Sequence, residues 1–140
     1  MDTIPPDRRS ENMRHIRSKD MKPEMAVRRF VHSRGYRYRL HVGTLPGKPD
    51  LVFPSRQKII LVHGCFWHQH QSLRCPIVRK PKSNKRYWVP KLERNVSRDK
   101  EQIRALRQMG WSVLVVWECQ LLNLKSLSAR IVRFLERQRI

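Results

Sequence analysis

LVFPSRQKIILVHGCFWHQHQSLRC, residues 51–75, is the most informative segment of this chain. Two short apolar runs, Leu51–Phe53 and Ile59–Val62, are separated by the turn-forming residues 54–57, which is typical of two strands joined by a turn. Residues 63–75 then hold three histidines and two cysteines directly after the second run. The stretch therefore predicts a buried strand that ends in a loop rich in metal-ligand residues.

Apolar periodicity on both sides of this stretch predicts alternating helices and strands. Pro23 fits the first turn of a helix, and Gly35 fits the position just after its end. Residues 64–84 have no clear period and predict a loop. The other predicted helices span residues 8–19, 90–109 and 124–137, and the other predicted strands span residues 36–42 and 111–117. This alternation predicts an α/β class with a small mixed sheet.

The charge of the chain points to a polyanionic partner. Its 140 residues include 31 lysines and arginines against 11 acidic residues, which gives a net charge of +20. This charge is spread along the chain, so nucleic acid is the leading expected partner and an anionic membrane surface the second. No apolar run reaches the roughly 18 residues of a membrane span. The N-terminus lacks the apolar segment of a secretory signal, and a cytoplasmic protein is expected.

The three cysteines of the chain, Cys65, Cys75 and Cys119, are an odd number without an export signal, which disfavours a disulfide framework. Together with His70 they make a set of three thiols and one imidazole, a usual tetrahedral zinc environment. The loop between them has little core of its own, so one structural zinc ion would stabilise it. The alternative is that Cys119 is a small buried apolar residue and that the other two are incidental.

Asp50 opens the first apolar strand, where many nucleases place a metal-binding carboxylate. Such nucleases carry Glu-x-Lys on the next strand, but here no acidic residue occurs from Leu51 to Leu92. Asp50 would then hold magnesium together with a phosphate oxygen and a backbone carbonyl, and His68 would replace the lysine as a base. If His70 binds zinc, an extended backbone turns His68 to the opposite side. The alternatives are a turn-ending aspartate and a surface histidine.

Four aromatic residues lie in polar and basic surroundings, namely Phe66, Trp67, Tyr87 and Trp88. By default they would form a small satellite core. The functional alternative is a wedge between DNA base pairs, because apolar side chains inserted at a base step unstack it.

Taken together, these residues resemble the very short patch repair endonucleases of bacteria, and the match covers nearly the whole chain. It is carried by the segments RSENMRHIRSKDMKPE, LPGKPDLVF, HGCFWHQH, YWVPKLERNVSRD and GWSVLVVWEC. The resemblance implies an α/β restriction-endonuclease-like fold, with a small central mixed sheet flanked by helices and a structural zinc site. It also implies a single domain over residues 1–140, in which residues 1–20 contact DNA and residues 21–140 form the nuclease core.

The resemblance also assigns roles to residues at the matching positions. Asp50 would bind magnesium, with the backbone carbonyl of Val62 completing the coordination, and His68 would be the general base. His63 and Glu24 would support water bound to the metal. The implied zinc ligands are Cys65, His70, Cys75 and Cys119.

The implied reaction is the nicking of one DNA strand 5′ of the thymine in T:G mismatches left by deamination of 5-methylcytosine. It would use magnesium, with two ions expected, beside one structural zinc ion. The expected substrate is double-stranded DNA, bound by a monomer in the bacterial cytoplasm at the nucleoid, with mismatch-repair proteins and DNA polymerase as further contacts. The residues implied to touch DNA are Phe66, Trp67 and Trp88, which would intercalate, and Met13 and Arg14, which lie in a segment that would cross the minor groove.

Two rival functions are open from the residues alone. One is a nuclease on the same scaffold with another target, such as a restriction enzyme or a host-defence nuclease, which would cut matched duplex. The other is a non-catalytic zinc-containing module that binds DNA or RNA, and the presence of Asp50 and His68 speaks against it.

Overall fold

The computed structural model of the chain describes residues 23–71, 75–76 and 83–138. The short helix predicted over residues 8–19 lies outside the described residues, as do Met13 and Arg14.

Helices and strands alternate along the described chain. The helices are α1 (Pro23–Ser33), α2 (Lys85–Gln108) and α3 (Leu124–Glu136). The strands are β1 (Arg39–Leu40), β2 (Leu51–Phe53), β3 (Lys58–His63) and β4 (Ser112–Trp117), and 3-10 helices span Pro54–Arg56 and Glu118–Leu122. None of the described helices is long and apolar enough to cross a lipid bilayer.

The four strands form one mixed sheet in the order β1-β2-β3-β4. β2 pairs antiparallel with β1 and with β3, whereas β3 pairs parallel with β4, from Lys58 opposite Ser112 to His63 opposite Trp117. The connection between the parallel strands contains α2, since parallel neighbours need a long crossover. The predicted α/β class with a small mixed sheet flanked by helices is confirmed. Because β3 and β4 run in the same direction, the residues that follow them meet at one edge of the sheet.

Side chains from both faces of the sheet are buried in two cores. Residues along β2 and β3 alternate between these cores, as the pleat of a strand requires. This two-sided burial explains the continuous apolar runs in the sequence. The first core, on the side of α1 and α3, consists of Val27, Val31, Leu51, Phe53, Ile60, Val116, Leu127, Ile131, Phe134 and Leu135. The second core, on the side of α2, consists of Val52, Ile59, Leu61 and Leu106.

Helix α2 begins at Lys85, five residues before the predicted start at Pro90. That prediction was wrong because it relied on the preference of proline for a first turn, where its missing N–H costs nothing. The carbonyl of Asn84 accepts the N–H groups of Tyr87 and Trp88 at 3.0 and 3.1 Å, which starts the helix earlier. The added turn brings the ring centroid of Trp88 to 5.6 Å from that of Phe66, and this packing offsets the hydrogen bond that Pro90 cannot make.

Strand β1 covers only Arg39–Leu40, whereas the apolar pattern predicts a strand over residues 36–42. His41 has a φ of 46°, in the left-handed region, and this ends the extended segment. The turn that follows passes close to α2 at Gly47, where an added Cβ would lie 2.6 Å from the side chain of Gln102. The φ of 75° at Gly47 lies in the left-handed region that favours glycine, and the turn leads to Asp50, directly before β2.

Candidate active site and metal centre

Three thiols and one imidazole converge where the chain leaves β3 and β4. Cys65 lies fully buried in the turn after β3, and Cys119 lies in the 3-10 helix after β4. Nδ1 of His70 is 3.4 Å from Sγ of Cys119 and 3.7 Å from Sγ of Cys65. Cys75 completes the group, in which the four ligand atoms all lie within 4.8 Å of one another. The structure thus brings together the four residues predicted as zinc ligands.

The geometry of this Cys/His group fits a tetrahedral zinc ion. Zn–S bonds of about 2.3 Å and a Zn–N bond of about 2.0 Å separate sulfur from nitrogen by roughly 3.5 Å, close to the measured 3.4 and 3.7 Å. Burial raises the pKa of the Cys65 and Cys119 thiols and lowers the pKa of His70, so a cation is needed to keep the sulfurs ionised. The His70 ring stacks on Trp117 with centroids 4.1 Å apart, which holds Nδ1 toward the sulfurs.

A second group joins the turn after β3 to the middle of α2. Nδ1 of His68 is hydrogen-bonded to Oδ2 of Asp99. A carboxylate accepts, so Nδ1 of His68 donates in this bond, and in a neutral imidazole the lone pair is then on Nε2. The ring of His63 stacks on that of His68 with centroids 3.9 Å apart and planes within 7°. Burial is the main cause that lowers the pKa of His63 to about 4, so His63 is neutral near pH 7.

A third group consists of Glu24, His41 and Asp50, whose ligand atoms also lie within 4.8 Å of one another. Oδ2 of Asp50 accepts the N–H of Val62 at 2.8 Å, which fixes the carboxylate against the end of β3. Burial raises the pKa of Asp50 to about 6, and the negative charge of Glu24 adds to the rise, whereas the hydrogen bond from Val62 opposes it. A cation in this group would favour the ionised form of Asp50.

The three groups meet at one edge of the sheet because of the order of its strands. Val62 touches Asp50, the next residue His63 stacks on His68, and Cys65 follows two residues later. Predicted metal and base residues that are far apart in sequence therefore lie around the last two residues of β3.

The backbone between His68 and His70 forms a compact turn, and the expectation of an extended segment is wrong. The N–H of His68 donates to the carbonyl of Gly64 at 3.1 Å, and the N–H of His70 donates to that of Cys65 at 3.0 Å. These two bonds close a tight turn that brings His70 back to Cys65. The two imidazoles still separate, since His68 contacts Asp99 and His70 contacts the sulfurs.

An aromatic cluster lies beside the second group and is made of Phe66, Trp67, Tyr87 and Trp88. The ring centroids of Phe66, Trp67 and Trp88 are 5.3–5.6 Å from one another. Nζ of Lys91 lies 5.4–5.8 Å from the rings of Trp67, Tyr87 and Trp88. Trp67 is 47% exposed and Tyr87 55% exposed, so the cluster presents apolar surface to solvent beside a cation.

Sequence reasoning missed two members of these groups. Asp99 was not identified because it is one acidic residue among many charges on a long helix, and only the fold shows that it meets His68. His41 falls within the strand predicted over residues 36–42, whereas the fold places it against Glu24 and Asp50. One signal for Asp99 was available. No acidic residue occurs from Leu51 to Leu92, so a carboxylate that orients a histidine base in the loop has to come from another part of the chain.

Comparison with known proteins places the chain in a family. The family model described as DNA mismatch endonuclease Vsr matches residues 1–74, more than half of the chain. The chain is 50% identical over 135 residues to the Type II nicking enzyme V.XorIIP of Xanthomonas oryzae, covering 96% of this chain and 97% of that protein. It is 39% identical over 122 residues to the Type II nicking enzyme V.NmeAIP of Neisseria meningitidis, covering 87% and 85%.

A third relative carries the family name itself. The chain is 38% identical over 113 residues to the DNA mismatch endonuclease Vsr of Escherichia coli, covering 81% of this chain and 70% of that protein. The resemblance found in the sequence is therefore confirmed, and the chain belongs to the Vsr family of DNA mismatch endonucleases.

Proposed function

We propose that this chain nicks one strand of duplex DNA on the 5′ side of the thymine in a T:G mismatch. The observation that carries the proposal is the juxtaposition, at one edge of the sheet, of a half-buried Asp50 and an imidazole, His68, oriented by Asp99. A carboxylate that can hold a divalent ion and an oriented base are what metal-assisted phosphodiester hydrolysis requires. Membership of the Vsr family supports DNA as the substrate.

The charge of the chain supports binding to duplex DNA. Its net charge is +20, and phosphate contacts made by lysine and arginine supply most of the affinity of such proteins. Helix α2, which supplies Asp99, carries part of this charge. Its exposed basic residues include Arg86, Arg94, Arg98, Lys100, Arg104 and Arg107.

Asp50 and the backbone carbonyl of Val62 would hold magnesium, because these are the oxygen ligands that magnesium prefers. The ions, two of which are proposed, would polarise the scissile phosphate and stabilise charge on the leaving oxygen. Glu24 lies in the same group as Asp50 and would hold water beside the metal.

His68 would take the proton of the attacking water at Nε2. Its Nδ1 proton is engaged by Asp99, so the free lone pair is on the other nitrogen. Asp99 would then stabilise the imidazolium that forms. His63 is neutral and stacked on His68, so it supports the ring without adding a positive charge that would disfavour protonation of His68.

Phe66, Trp67 and Trp88 would insert beside the mismatch. A T:G pair keeps two hydrogen bonds, so its recognition depends on how easily the step opens as well as on base edges. The exposed face of Trp67 and the cation of Lys91 over the rings suit a surface that meets stacked bases and phosphates. Met13 and Arg14 would contribute contacts in the minor groove.

The Cys/His group would hold one structural zinc ion, because its four ligands close a tetrahedron and leave no open position. Zinc would fix the turn that presents Phe66, Trp67 and His68. Under this proposal the scaffold is of the restriction-endonuclease-like type, and residues 1–20 are a DNA-contacting segment added to a nuclease core over residues 21–140.

The proposal is tested with an end-labelled duplex that carries one T:G pair, incubated with Mg²⁺ or with EDTA. We expect one metal-dependent nick, mapped to the 5′ side of the thymine, and no nick by Asp50→Ala protein that still binds the duplex. His68→Ala should be slower by about 10²- to 10⁴-fold. Glu101→Gln, an exposed change on α2, is the matched control and should keep the wild-type rate.

Two outcomes would refute the proposal. Specific cutting of fully matched duplex would identify a restriction-type nuclease. Binding without any cleavage, in zinc-replete protein supplied with Mg²⁺ or Mn²⁺, would identify a non-catalytic module.

A further inference from the structure

His41 lies against both carboxylates of the proposed magnesium site, although the proposed mechanism gives it no role. Glu24 comes from the first turn of α1, His41 directly follows β1, and Asp50 directly precedes β2. Nε2 of His41 is 3.2 Å from Oε1 of Glu24, 3.0 Å from Oε2 of Glu24 and 3.9 Å from Oδ1 of Asp50. Three separate parts of the chain thus bring one imidazole nitrogen to two carboxylates.

The backbone at His41 holds this arrangement in place. The N–H of His41 donates to the carbonyl of Asp50 at 3.3 Å, so the two residues are tied by their main chains as well as by their side chains. The φ of 46° turns the chain out of β1 at this residue. The His41 side chain remains 51% exposed, so its nitrogen is not buried as part of a core.

Nε2 of His41 is within hydrogen-bonding distance of Glu24, and the same separations suit ligand atoms around one ion. Neighbouring ligands of an octahedral ion with bonds of about 2.1 Å lie roughly 3.0 Å apart. The distances from Nε2 to the two oxygens of Glu24 match this value, and that to Asp50 is within reach of a small side-chain movement. A cation would also offset the repulsion between the carboxylates of Glu24 and Asp50, whose ligand atoms lie within 4.8 Å of each other.

The ligand types decide which ion is favoured. Magnesium prefers oxygen ligands, whereas an imidazole nitrogen raises the affinity for first-row transition metals. We propose that His41 is a nitrogen ligand of the divalent ion at Asp50, and that Glu24 contacts this ion directly rather than through water, so that this site binds Mn²⁺ more tightly than Mg²⁺. The inference rests on the proposed function, since it concerns the metal site of the same reaction.

The test measures metal binding without DNA. Zinc-replete protein is titrated with Mn²⁺, and free Mn²⁺ is followed by its electron paramagnetic resonance signal. Mn²⁺ should not displace zinc from a thiolate site, because zinc binds more tightly there. His41→Ala should weaken Mn²⁺ binding at least about tenfold and Mg²⁺ binding less than about threefold, the latter measured by competition. His32→Ala, an exposed histidine on α1, is the matched control and should bind Mn²⁺ like the wild type.

A spectroscopic measurement separates ligation from mere positioning of Glu24. Electron spin-echo modulation of bound Mn²⁺ should show a directly bonded histidine nitrogen in the wild type and lose it in His41→Ala and His41→Gln. Both variants change an exposed side chain, and circular dichroism with thermal melting checks that each is folded. Unchanged Mn²⁺ affinity in folded His41→Ala protein would overturn the inference, as would a wild-type spectrum without nitrogen coupling.

These readouts are independent of cleavage. Wild-type protein that shows the His41 signature but nicks no DNA would refute the proposed function and leave the metal assignment standing. Wild-type protein that nicks T:G duplex but lacks the signature would refute only the role of His41.

Discussion

His68 and Asp99 are joined by a hydrogen bond between Nδ1 and Oδ2, although 31 positions separate them in the sequence. The bond connects the turn after β3 to the helix that crosses over to β4. It fixes the orientation of the His68 ring and assigns the proton to Nδ1. A residue that the mechanism uses as a base is therefore positioned by a carboxylate from another element of the fold.

Replacing Asp99 with asparagine should slow nicking by on the order of 10²- to 10⁴-fold. The amide of asparagine can donate to Nδ1, which would move the imidazole proton to Nε2 and remove the lone pair needed for the water. Single-turnover nicking rates measure the effect, and a duplex-binding assay checks that affinity is kept. Wild-type rates in Asp99→Asn protein would show that this hydrogen bond has no part in the reaction.

Loss of one thiol should cost both zinc and stability. Cys119→Ser protein is expected to lose its zinc and to melt roughly 10 °C lower, because the binding energy of a structural metal is part of the folding energy. Metal analysis and thermal melting measure the two effects. Leu122→Ala changes a residue that is 72% exposed in the same 3-10 helix and should keep its zinc. Natively purified wild-type protein without zinc would contradict the assignment.

Lys58, the first residue of the interior strand β3, stabilises the C-terminal end of α3. Its side chain is only 2% exposed, and Nζ donates to the carbonyls of Phe134, Leu135 and Arg137. These carbonyls have no partner within the helix, so Lys58→Met should lower the free energy of unfolding by about 1–3 kcal/mol. Denaturant unfolding measures the change, with Lys125→Met, exposed on α3, as the control. Equal stability of the Lys58→Met and wild-type proteins would show that water or other groups satisfy the carbonyls.

The aromatic cluster can be tested for a role beyond packing. If Trp67 is a wedge, Trp67→Ala protein should fold, keep its zinc and bind duplex, but lose most of its preference for T:G over matched DNA. If Trp67 only packs the turn, the variant should melt early and lose zinc, and any remaining activity should keep the preference. Melting temperature, zinc content and the nicking ratio are measured on one preparation. Val89→Ala, which changes an exposed apolar side chain on α2, is the control.

Local patterns predicted much of this fold, and the reasons are visible in particular residues. The apolar runs of β2 and β3 are continuous because both faces of these strands are buried. The start of α1 at Pro23 and the start of α3 at Leu124 follow from periodicity and from end signals. The start of α2 was missed because contacts between Trp88 and Phe66, which are distant in sequence, outweigh the local preference of Pro90.

The candidate site was predictable only where its chemistry is concentrated in one segment. Cys65, His70 and Cys75 fall within one loop, and their residue types suffice to suggest a common ion. Asp99 and His41 belong to the site through the crossover helix and through the turn before Asp50. Nothing in the spacing of either residue distinguishes it from other charged or histidine residues of the chain.

If this site nicks DNA where a T:G mismatch opens the helix, its nicking rate should differ between mismatched and matched duplexes. Single-turnover nicking rates are measured with Mg²⁺ on two duplexes of identical sequence that differ only in a T:G or a T:A pair. Opening the helix at a matched T:A pair should cost a few kcal/mol more than opening it at a T:G mismatch. Nicking at T:G should therefore be faster by at least about 10²-fold. Equal rates on the two duplexes, in zinc-replete protein whose Asp50→Ala variant is inactive, would show that nicking does not depend on the mismatch.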